Sequence, residues 1–380
     1  MIRVMHIISG LGTGGAEIML WKLLSSMDAD SFESKVVTML PPGPVAARIR
    51  ALGVEVVSLG MRRGRPELRA LIGARAELCR FRPQIVQCWM YHANLLGGLA
   101  AAISGRTPVV WGIHHSDIIK QHTKVLSFVT SRACAVLSSW LPARIVCCAE
   151  SAKAVHIEKG YAAAKMTVIT NGIDVRTFQP APELGAKFRQ EQGILPTVPL
   201  FCHVARFHPQ KDHLAFLRAV KLILSKRPDA HFALCGEDVT WENPALTGYI
   251  AALGIARDHI RLLGRVEDVR PVLNAAIAVV SSSYGEAFPV TLGEAMACGS
   301  VCVVTRVGDC EEIVGQQSGL VPARDPEALA KGCMDVLDML PEQLHRRKLA
   351  NRRRIEQRFS LPAMTRQYEV LYRELASESR

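Results

Sequence analysis

Short apolar segments with the character of buried strands alternate with helical segments along almost the whole chain, and this alternation limits its fold most. Strands that alternate with helices build a mostly parallel sheet with helices on both faces. In the first half, helices are predicted over 17–27 and 45–52, and the predicted strands are 3–8, 35–40, 54–58, 84–87, 109–113, 144–148 and 166–170.

The alternation starts again after a proline-bearing stretch, 171–199, which has the composition of a connection between domains. The predicted strands are then 200–205, 231–235, 260–263, 277–281 and 301–305, with helices over 214–224, 290–297 and 361–377. We therefore predict an α/β protein with two doubly wound, Rossmann-like domains. The predicted bounds are 1–178 for the first domain, 179–198 for a linker, 199–358 for the second domain and 359–380 for a C-terminal helix.

Composition agrees with two folded domains in a reducing compartment. The chain has 380 residues and 49% apolar residues, which is enough for two sizeable cores. It lacks an apolar run of the roughly 20 residues that a membrane-spanning helix needs, and its N-terminus lacks the pattern of a signal peptide. The eleven cysteines are odd in number and show no zinc-site spacing. These features predict a cytoplasmic protein with reduced thiols and no metal site.

The positive charge of the chain lies in its first half. Residues 1–190 contain 23 Lys and Arg against 12 Asp and Glu, whereas residues 191–380 contain 23 of each, so the first half carries the net charge of +11. Such a patch favours an anionic membrane surface or acceptor, or is a solvated helix face. Nucleic acid is disfavoured, because aromatic residues make up only 6% and no nucleic-acid-binding motif is present. The densest part contains Arg62, Arg63, Arg65, Arg69, Arg75, Arg80 and Arg82.

Two acids, Glu286 and Glu294, are separated by seven residues at a predicted strand-to-helix junction. Pro289 suits the start of the helix, so free N–H groups and the positive dipole end would face the loop that holds Glu286. Such a junction binds phosphate, and a carboxylate on each side can accept hydrogen bonds from sugar hydroxyls. The alternative is an ordinary helix with an acidic first turn.

Two cations, Arg206 and Lys211, lie five positions apart in the loop after the first strand of the second domain. Arginine holds phosphate oxygens bidentately and lysine adds a mobile charge, so the pair suits a diphosphate. The alternative is two solvated loop cations.

A glycine-rich segment follows the first strand and formally satisfies the dinucleotide fingerprint through Gly10, Gly12 and Gly15. That fingerprint also requires an acid near the end of the second strand to bind ribose. Residues 37–42 contain no acid, so the dehydrogenase interpretation fails.

The segment from 281 to 299 resembles the E-x7-E motif of family 4 glycosyltransferases, which are retaining enzymes of the GT-B fold. The resemblance covers most of the chain and is strongest over 200–315. It implies that Glu286 contacts the donor sugar and Glu294 the ribose of the nucleotide. Arg206 and Lys211 match the family's cations, while Ala205 and Asp212 replace its usual glycines. Asp309 replaces a glycine in the related segment 308–314.

Other segments resemble the family's donor site. The Gly-Gly-Ala-Glu loop at 14–17 matches one that faces the cleft, although Glu17 is also expected simply to charge a helix N-terminus. A histidine at the strand end 110–117 points at the donor sugar or acceptor in related enzymes, which implies His114, with His115 as the alternative. Residues 235–238 and 263–266 resemble the nucleotide-base pocket, but are also ordinary strand-end turns. The implied donor site comprises Gly14, Gly15, Arg206, Lys211, Arg265, Glu286, Phe288, Val290, Thr291 and Glu294.

The resemblance implies transfer of a sugar from a nucleoside diphosphate sugar to an acceptor hydroxyl, with Glu286, His114, Arg206 and Lys211 as the catalytic set. It implies no metal or other cofactor, and a terminal helix that crosses back to the first domain. The basic first half favours a lipid-linked saccharide acceptor at the inner membrane face. The nucleotide is open between UDP and GDP. The alternative functions are an epimerase or phosphorylase on the same fold, or a catalytically silent subunit that supports a membrane partner.

Overall fold

The computed structural model describes residues 1–62, 64, 67–105, 107–115, 125–315 and 319–378, which form two compact α/β units. The first unit contains residues 1–172 together with the helix that begins at Leu361, and the second is Ile173–Ser360. Each unit is built on one parallel sheet, as the alternation of elements predicts.

The first sheet has the strand order β3-β2-β1-β4-β5-β6-β7, and every pair of neighbours is parallel. The strands are β1 Ile2–Ile8, β2 Phe32–Thr38, β3 Glu55–Ser58, β4 Ile85–Trp89, β5 Val109–Ile113, β6 Arg144–Cys147 and β7 Met166–Val168. The helices are α1 Gly15–Ser26, α2 Pro44–Arg50, α3 Leu68–Phe81, α4 Tyr91–Ala102, α5 Val125–Leu137 and α6 Glu150–Glu158.

The C-terminal helix, α15 (Leu361–Glu378), is part of the first unit, which confirms the predicted terminal helix. It packs against α1, β1 and β4. Its Tyr372 is fully buried and donates a hydrogen bond of 3.1 Å to Oε1 of Gln87, a polar residue inside the sheet. Burying a large side chain of this kind stabilises the fold by roughly 1.5–3 kcal/mol, which fastens the helix to the sheet.

The second sheet has the order β10-β9-β8-β11-β12-β13 and is also parallel. Helices cover both faces, so strands such as β12 are buried throughout and read as continuous apolar runs. The strands are β8 Leu200–Val204, β9 His231–Cys235, β10 Ile260–Leu262, β11 Ala278–Ser281, β12 Val301–Thr305 and β13 Gly319–Val321. The helices are α7 Pro182–Glu191, α8 His213–Lys226, α9 Pro244–Ala252, α10 Arg270–Ala275, α11 Val290–Ala297, α12 Cys310–Val314, α13 Pro326–Leu337 and α14 Pro341–Arg358.

The range 179–198, predicted as a linker, instead contains a helix of the second unit. Helix α7 packs against α10, and the amide of Ala181 donates to Oδ1 of Asn274 at 2.7 Å. A Cβ atom added at Gly185 would lie 2.5 Å from the carbonyl oxygen of Asn274, so the two helices touch backbone to backbone. Pro182 begins this helix because its missing N–H needs no partner in the first turn.

Candidate functional site

A cavity of about 210 Å³ lies in the second unit, where β8, β11 and β12 meet the N-terminus of α11. The carboxyl ends of neighbouring parallel strands are where ligands bind in such sheets. Five residues predicted for the donor site line this cavity together: Lys211, Glu286, Phe288, Val290 and Thr291.

Glu286 faces this cavity from the loop after β11, and its carboxylate is held from two sides. The hydroxyl of Ser283 donates to Oε1 at 2.7 Å, and the ammonium of Lys211 forms an ion pair with the same oxygen. Both charged side chains remain accessible, with exposed fractions of 24% for Lys211 and 11% for Glu286. The cavity therefore offers a cation and a carboxylate that can bind a ligand with both phosphate and hydroxyl groups.

A buried polar cluster beneath Lys211 fixes the backbone that carries it. The hydroxyl of Ser282 lies 2.7 Å from the carbonyl oxygen of Lys211, 3.0 Å from that of Asp212 and 3.1 Å from Nε2 of His203. Since the hydroxyl proton is donated to a carbonyl, His203 donates its own N–H to Ser282. Burial holds the pKa of His203 well below its ordinary value, so the ring is neutral. His203 also lines the cavity and was missed in the sequence, where its only signal is a polar residue inside an apolar strand.

Asp212, at a position where the family usually has glycine, has a backbone conformation that glycine favours. Asp212 adopts a left-handed backbone with φ of 48°, a region that glycine enters freely and that aspartate tolerates. Its side chain accepts a hydrogen bond of 3.1 Å from the amide of Ala215 and so caps α8. Asp212 therefore adopts a backbone conformation that is open to glycine, and its side chain also caps the following helix.

Gly308 allows the loop after β12 to pass directly against the backbone of Glu286. Its φ is 51°, and an added Cβ atom would lie 2.3 Å from the carbonyl oxygen of Glu286. The next residue, Asp309, has an ordinary φ of −91° and donates its amide to the carbonyl of Ala287 at 3.0 Å. The close approach thus depends on Gly308, and a side chain at position 309 is compatible with it.

Replacing Gly308 by alanine is expected to lower the free energy of unfolding by about 2–3 kcal/mol, because the new Cβ meets backbone and the left-handed φ is strained. Urea denaturation measures the change. Gly248→Ala is the matched control, since an added Cβ there, inside α9, meets nothing within 4 Å. That control should be neutral or slightly stabilising. Equal stability of the two variants would contradict the assigned role of Gly308.

The N-terminus of α11 supplies backbone donors to the same cavity. Pro289 precedes the helix, and the first helical residues, Val290 and Thr291, line the cavity. The first N–H groups of a helix have no partner within it, so they and the dipole favour an anion. Phe288 is buried, with its ring centre 5.7 Å from that of Phe359, and anchors the loop. Glu294 lies one turn into the helix and is not among the cavity-lining residues.

Two predicted cations of this unit lie outside the cavity lining. Arg206 is exposed in the loop between β8 and α8, and Arg265 is exposed in the loop after β10. Gly236 brings the turn after β9 onto Ala205, since an added Cβ would lie 2.1 Å from the Ala205 carbonyl oxygen. This contact aligns the loop that carries Arg206 with the predicted base-binding segment 235–238.

Three predicted site residues, Gly14, Gly15 and His114, belong to the first unit. Gly14 precedes α1 and Gly15 begins it. A Cβ atom at Gly14 would lie 2.5 Å from Oε2 of Glu17, so this carboxylate folds back over the helix N-terminus, as expected for a residue that offsets the dipole. A Cβ atom at Gly15 would meet nothing within 4 Å.

His114 follows β5 and stacks on Trp89, with ring centres 5.0 Å apart and planes inclined by 16°. Burial, followed by the charge of neighbouring His115, lowers the pKa of His114 to about 4. The ring is therefore neutral near pH 7 and can offer one donor and one acceptor. His115 is exposed, and Asp117, from the same sequence segment, lies outside the described residues.

Metal and membrane-spanning features are not found in the described part of the chain. No group of three His, Cys, Asp or Glu residues among the described residues could hold a metal ion. No described helix is both long enough and apolar enough to cross a bilayer. All eleven cysteines are free thiols, and only Cys79 is exposed.

Two family models match the chain, one in each unit. The model described as "Glycosyltransferase Family 4" matches residues 13–177, and the model described as "Glycosyl transferases group 1" matches residues 198–339. Together they match the larger part of each α/β unit and include every predicted site residue.

Curated relatives of the chain include two bacterial enzymes. One is the UDP-Gal:alpha-D-GlcNAc-diphosphoundecaprenol alpha-1,3-galactosyltransferase of Escherichia coli, 26% identical over 244 residues, which are 63% of this chain and 62% of that protein. Another is the D-inositol 3-phosphate glycosyltransferase of Streptomyces avermitilis, 28% identical over 298 residues, which are 69% of this chain and 62% of that protein. The matches thus span less than two thirds of either relative.

Solved structures share the whole fold. HepE of Anabaena in complex with UDP superimposes with a TM-score of 0.85 at 19% sequence identity, covering 98% of this chain and 100% of that one. The same protein with UDP-glucose gives a TM-score of 0.83 at 20% identity, covering 98% and 99%. These similarities confirm the predicted GT-B fold.

Proposed function

The chain belongs to the family 4 glycosyltransferases, and we propose that it transfers a sugar from a nucleoside diphosphate sugar to an acceptor hydroxyl with retention of anomeric configuration. The observation that carries this proposal is the joint exposure of Lys211, Glu286 and the N-terminus of α11 in one cavity. Cation, carboxylate and backbone donors correspond to the diphosphate and hydroxyl groups of such a donor.

The proposed chemistry places the leaving diphosphate against Lys211 and the first N–H groups of α11. Negative charge develops on this group as the bond to the sugar breaks, and fixed cations and dipoles stabilise it. Arg206 is exposed in the same β8–α8 connection that carries Lys211, and we propose that it adds a second positive charge. These groups supply the stabilisation that a metal ion supplies elsewhere, so we propose that no metal is required.

Glu286 positions the donor by accepting hydrogen bonds from sugar hydroxyls, and Glu294 is proposed for the ribose. The departing phosphate takes the proton of the acceptor hydroxyl on the same face of the sugar, so no side chain acts as base. The neutral His114 fits a role in hydrogen bonding to sugar or acceptor, because its pKa of about 4 makes it a weak base.

The acceptor proposed is a saccharide carried on a lipid diphosphate, at the inner face of the cytoplasmic membrane. Two observations support this class: the net charge of +11 in residues 1–190, and the Escherichia coli relative, whose name specifies a diphosphoundecaprenol-linked substrate. UDP is the favoured nucleotide, because that relative's name specifies UDP-Gal and HepE is solved with UDP.

The test is to incubate the protein with UDP-galactose or UDP-glucose and a diphosphoundecaprenol-linked N-acetylglucosamine, then determine the anomeric configuration of the product by NMR. The proposal predicts an α-linked product and equal rates with and without EDTA. A β-linked product would contradict retention, and loss of activity in EDTA would contradict metal independence. Conversion of the nucleotide sugar without an acceptor would favour the epimerase alternative.

A further inference from the structure

Helices α3, α4 and α5 lie side by side in the first unit. Helix α4 packs against both α3 and α5. His92 near the start of α4 lies 3.2 Å from Ser127 and 3.1 Å from Thr130 of α5, and Gly98 further along α4 is packed against Leu141, just past α5. These contacts, one near each end, show that α4 and α5 run side by side in the same direction. Because α4 also packs against α3, the outward-facing side chains of the three helices are neighbours on one surface.

This surface exposes several large apolar side chains to solvent. Six large apolar side chains with exposed fractions from 54% to 74% lie on α3, on α5 and in the first residues after α4 and α5. We call these six residues the outer apolar face: Leu68, Ile72, Ile103, Val129, Val136 and Trp140.

The charges on these helices are almost all positive. Helices α4 and α5 contain no Asp or Glu, and the single acid of α3, Glu77, is buried and paired with Lys35 and Arg80. Exposed arginines stand among the apolar residues, including Arg75 on α3 and Arg132 on α5. An acidic or lipid-phosphate surface would complement this pattern.

We infer that the outer apolar face docks the chain on an anionic lipid bilayer. Apolar side chains can enter the boundary of the acyl chains while arginines reach the phosphates beside them, and exposed tryptophan is typical of membrane interfaces. A second copy of the chain fits less well, because it would bring arginines against arginines. The inference rests on the proposed lipid-linked acceptor, since docking brings the enzyme to the surface where that acceptor resides.

The experiment is flotation of the full chain with vesicles of phosphatidylcholine alone or mixed with phosphatidylglycerol. Wild type is expected to bind the anionic vesicles and to lose binding at high salt. The variant Ile72→Ser/Val129→Ser/Trp140→Ser should bind about tenfold more weakly, and Arg75→Ser/Arg132→Ser should bind more weakly with a smaller salt dependence. The matched controls, Leu195→Ser and Arg218→Ser, change exposed residues of the second unit and should bind as wild type does.

Thermal stabilisation by UDP separates this inference from the proposed function. All four variants should keep the stabilisation of wild type, which also shows that they are folded. Loss of vesicle binding with UDP stabilisation intact would support the docking surface alone. Unchanged vesicle binding in the triple variant would overturn it, as would a wild-type dimer that the triple variant converts to a monomer without any vesicle binding. Vesicle binding without any response to UDP would instead count against the proposed function.

Discussion

Glu286→Gln is expected to lower kcat/KM for sugar transfer by roughly 10²–10³-fold, the loss typical of one preorganised polar group in an active site. Glutamine keeps the size of the side chain and an oxygen that can accept from Ser283, but it removes the charge that pairs with Lys211. The donor sugar then loses its carboxylate partner, and the Lys211 ammonium loses the ion pair that holds it in position. Steady-state kinetics with the donor varied measures the effect.

The control for this variant is Glu327→Gln, which removes an exposed acid from the first turn of α13 in the same unit. It should retain wild-type kinetics. Both variants should unfold at temperatures close to that of wild type, because neither leaves a buried group unpaired in the core. Full activity of Glu286→Gln would refute the assignment of the donor site.

Lys211→Met is expected to reduce kcat/KM by at least about 10²-fold, because the leaving diphosphate loses the cation nearest to it in the cavity. The change also removes the positive charge of Lys211 from beside the Glu286 carboxylate, whose negative charge then opposes the incoming diphosphate more strongly. Both effects act on nucleotide binding as well as on the rate. Kinetics and isothermal titration with UDP measure the two quantities separately.

Lys221→Met provides the comparison, since Lys221 is exposed on α8 of the same unit. Lys211→Arg should recover part of the activity, because the charge is kept while the planar guanidinium fits the space of a lysine imperfectly. If Lys211→Met bound UDP as tightly as wild type, the cavity would not be the diphosphate site.

The strands and helices that the sequence predicts best are those with strong apolar runs and clear ends. The predicted bounds 109–113, 231–235, 290–297 and 301–305 coincide with β5, β9, α11 and β12. Strand β2 begins three residues earlier than predicted, at Phe32, because Glu33 and Ser34 interrupt its apolar run.

Helices α7 and α14 illustrate where the sequence pattern does not indicate a helix. The prolines of the stretch 171–199 predict a linker, but Pro182 is at the first position of α7, where proline starts a helix. The sequence pattern does not predict helix α14, because this helix is rich in arginine and has only two buried residues, Asn351 and Ile355. Its stability comes from contacts such as the hydrogen bond of 2.9 Å from Asn351 to the carbonyl of Ser300, which only the fold reveals.

The site was predictable in its charges but not in its geometry. Lys211 and Glu286 are 75 positions apart, and they meet because the sheet order places β8 beside β11. Sequence spacing contains no information about that adjacency. It also could not show that His203 and Ser282 support the Lys211 backbone, since a buried histidine in an apolar strand is more often structural.

The most direct test is the thermal stabilisation of wild type by UDP, GDP and their sugar conjugates, compared with Arg206→Ala/Lys211→Ala. We predict that UDP and one or more UDP-sugars raise the unfolding temperature of wild type, whereas the double variant, folded and of similar intrinsic stability, shows little response. Stabilisation of both proteins to the same extent would place the nucleotide elsewhere. No stabilisation of folded wild type by any of these compounds would contradict the nucleotide-sugar site and favour a catalytically silent subunit.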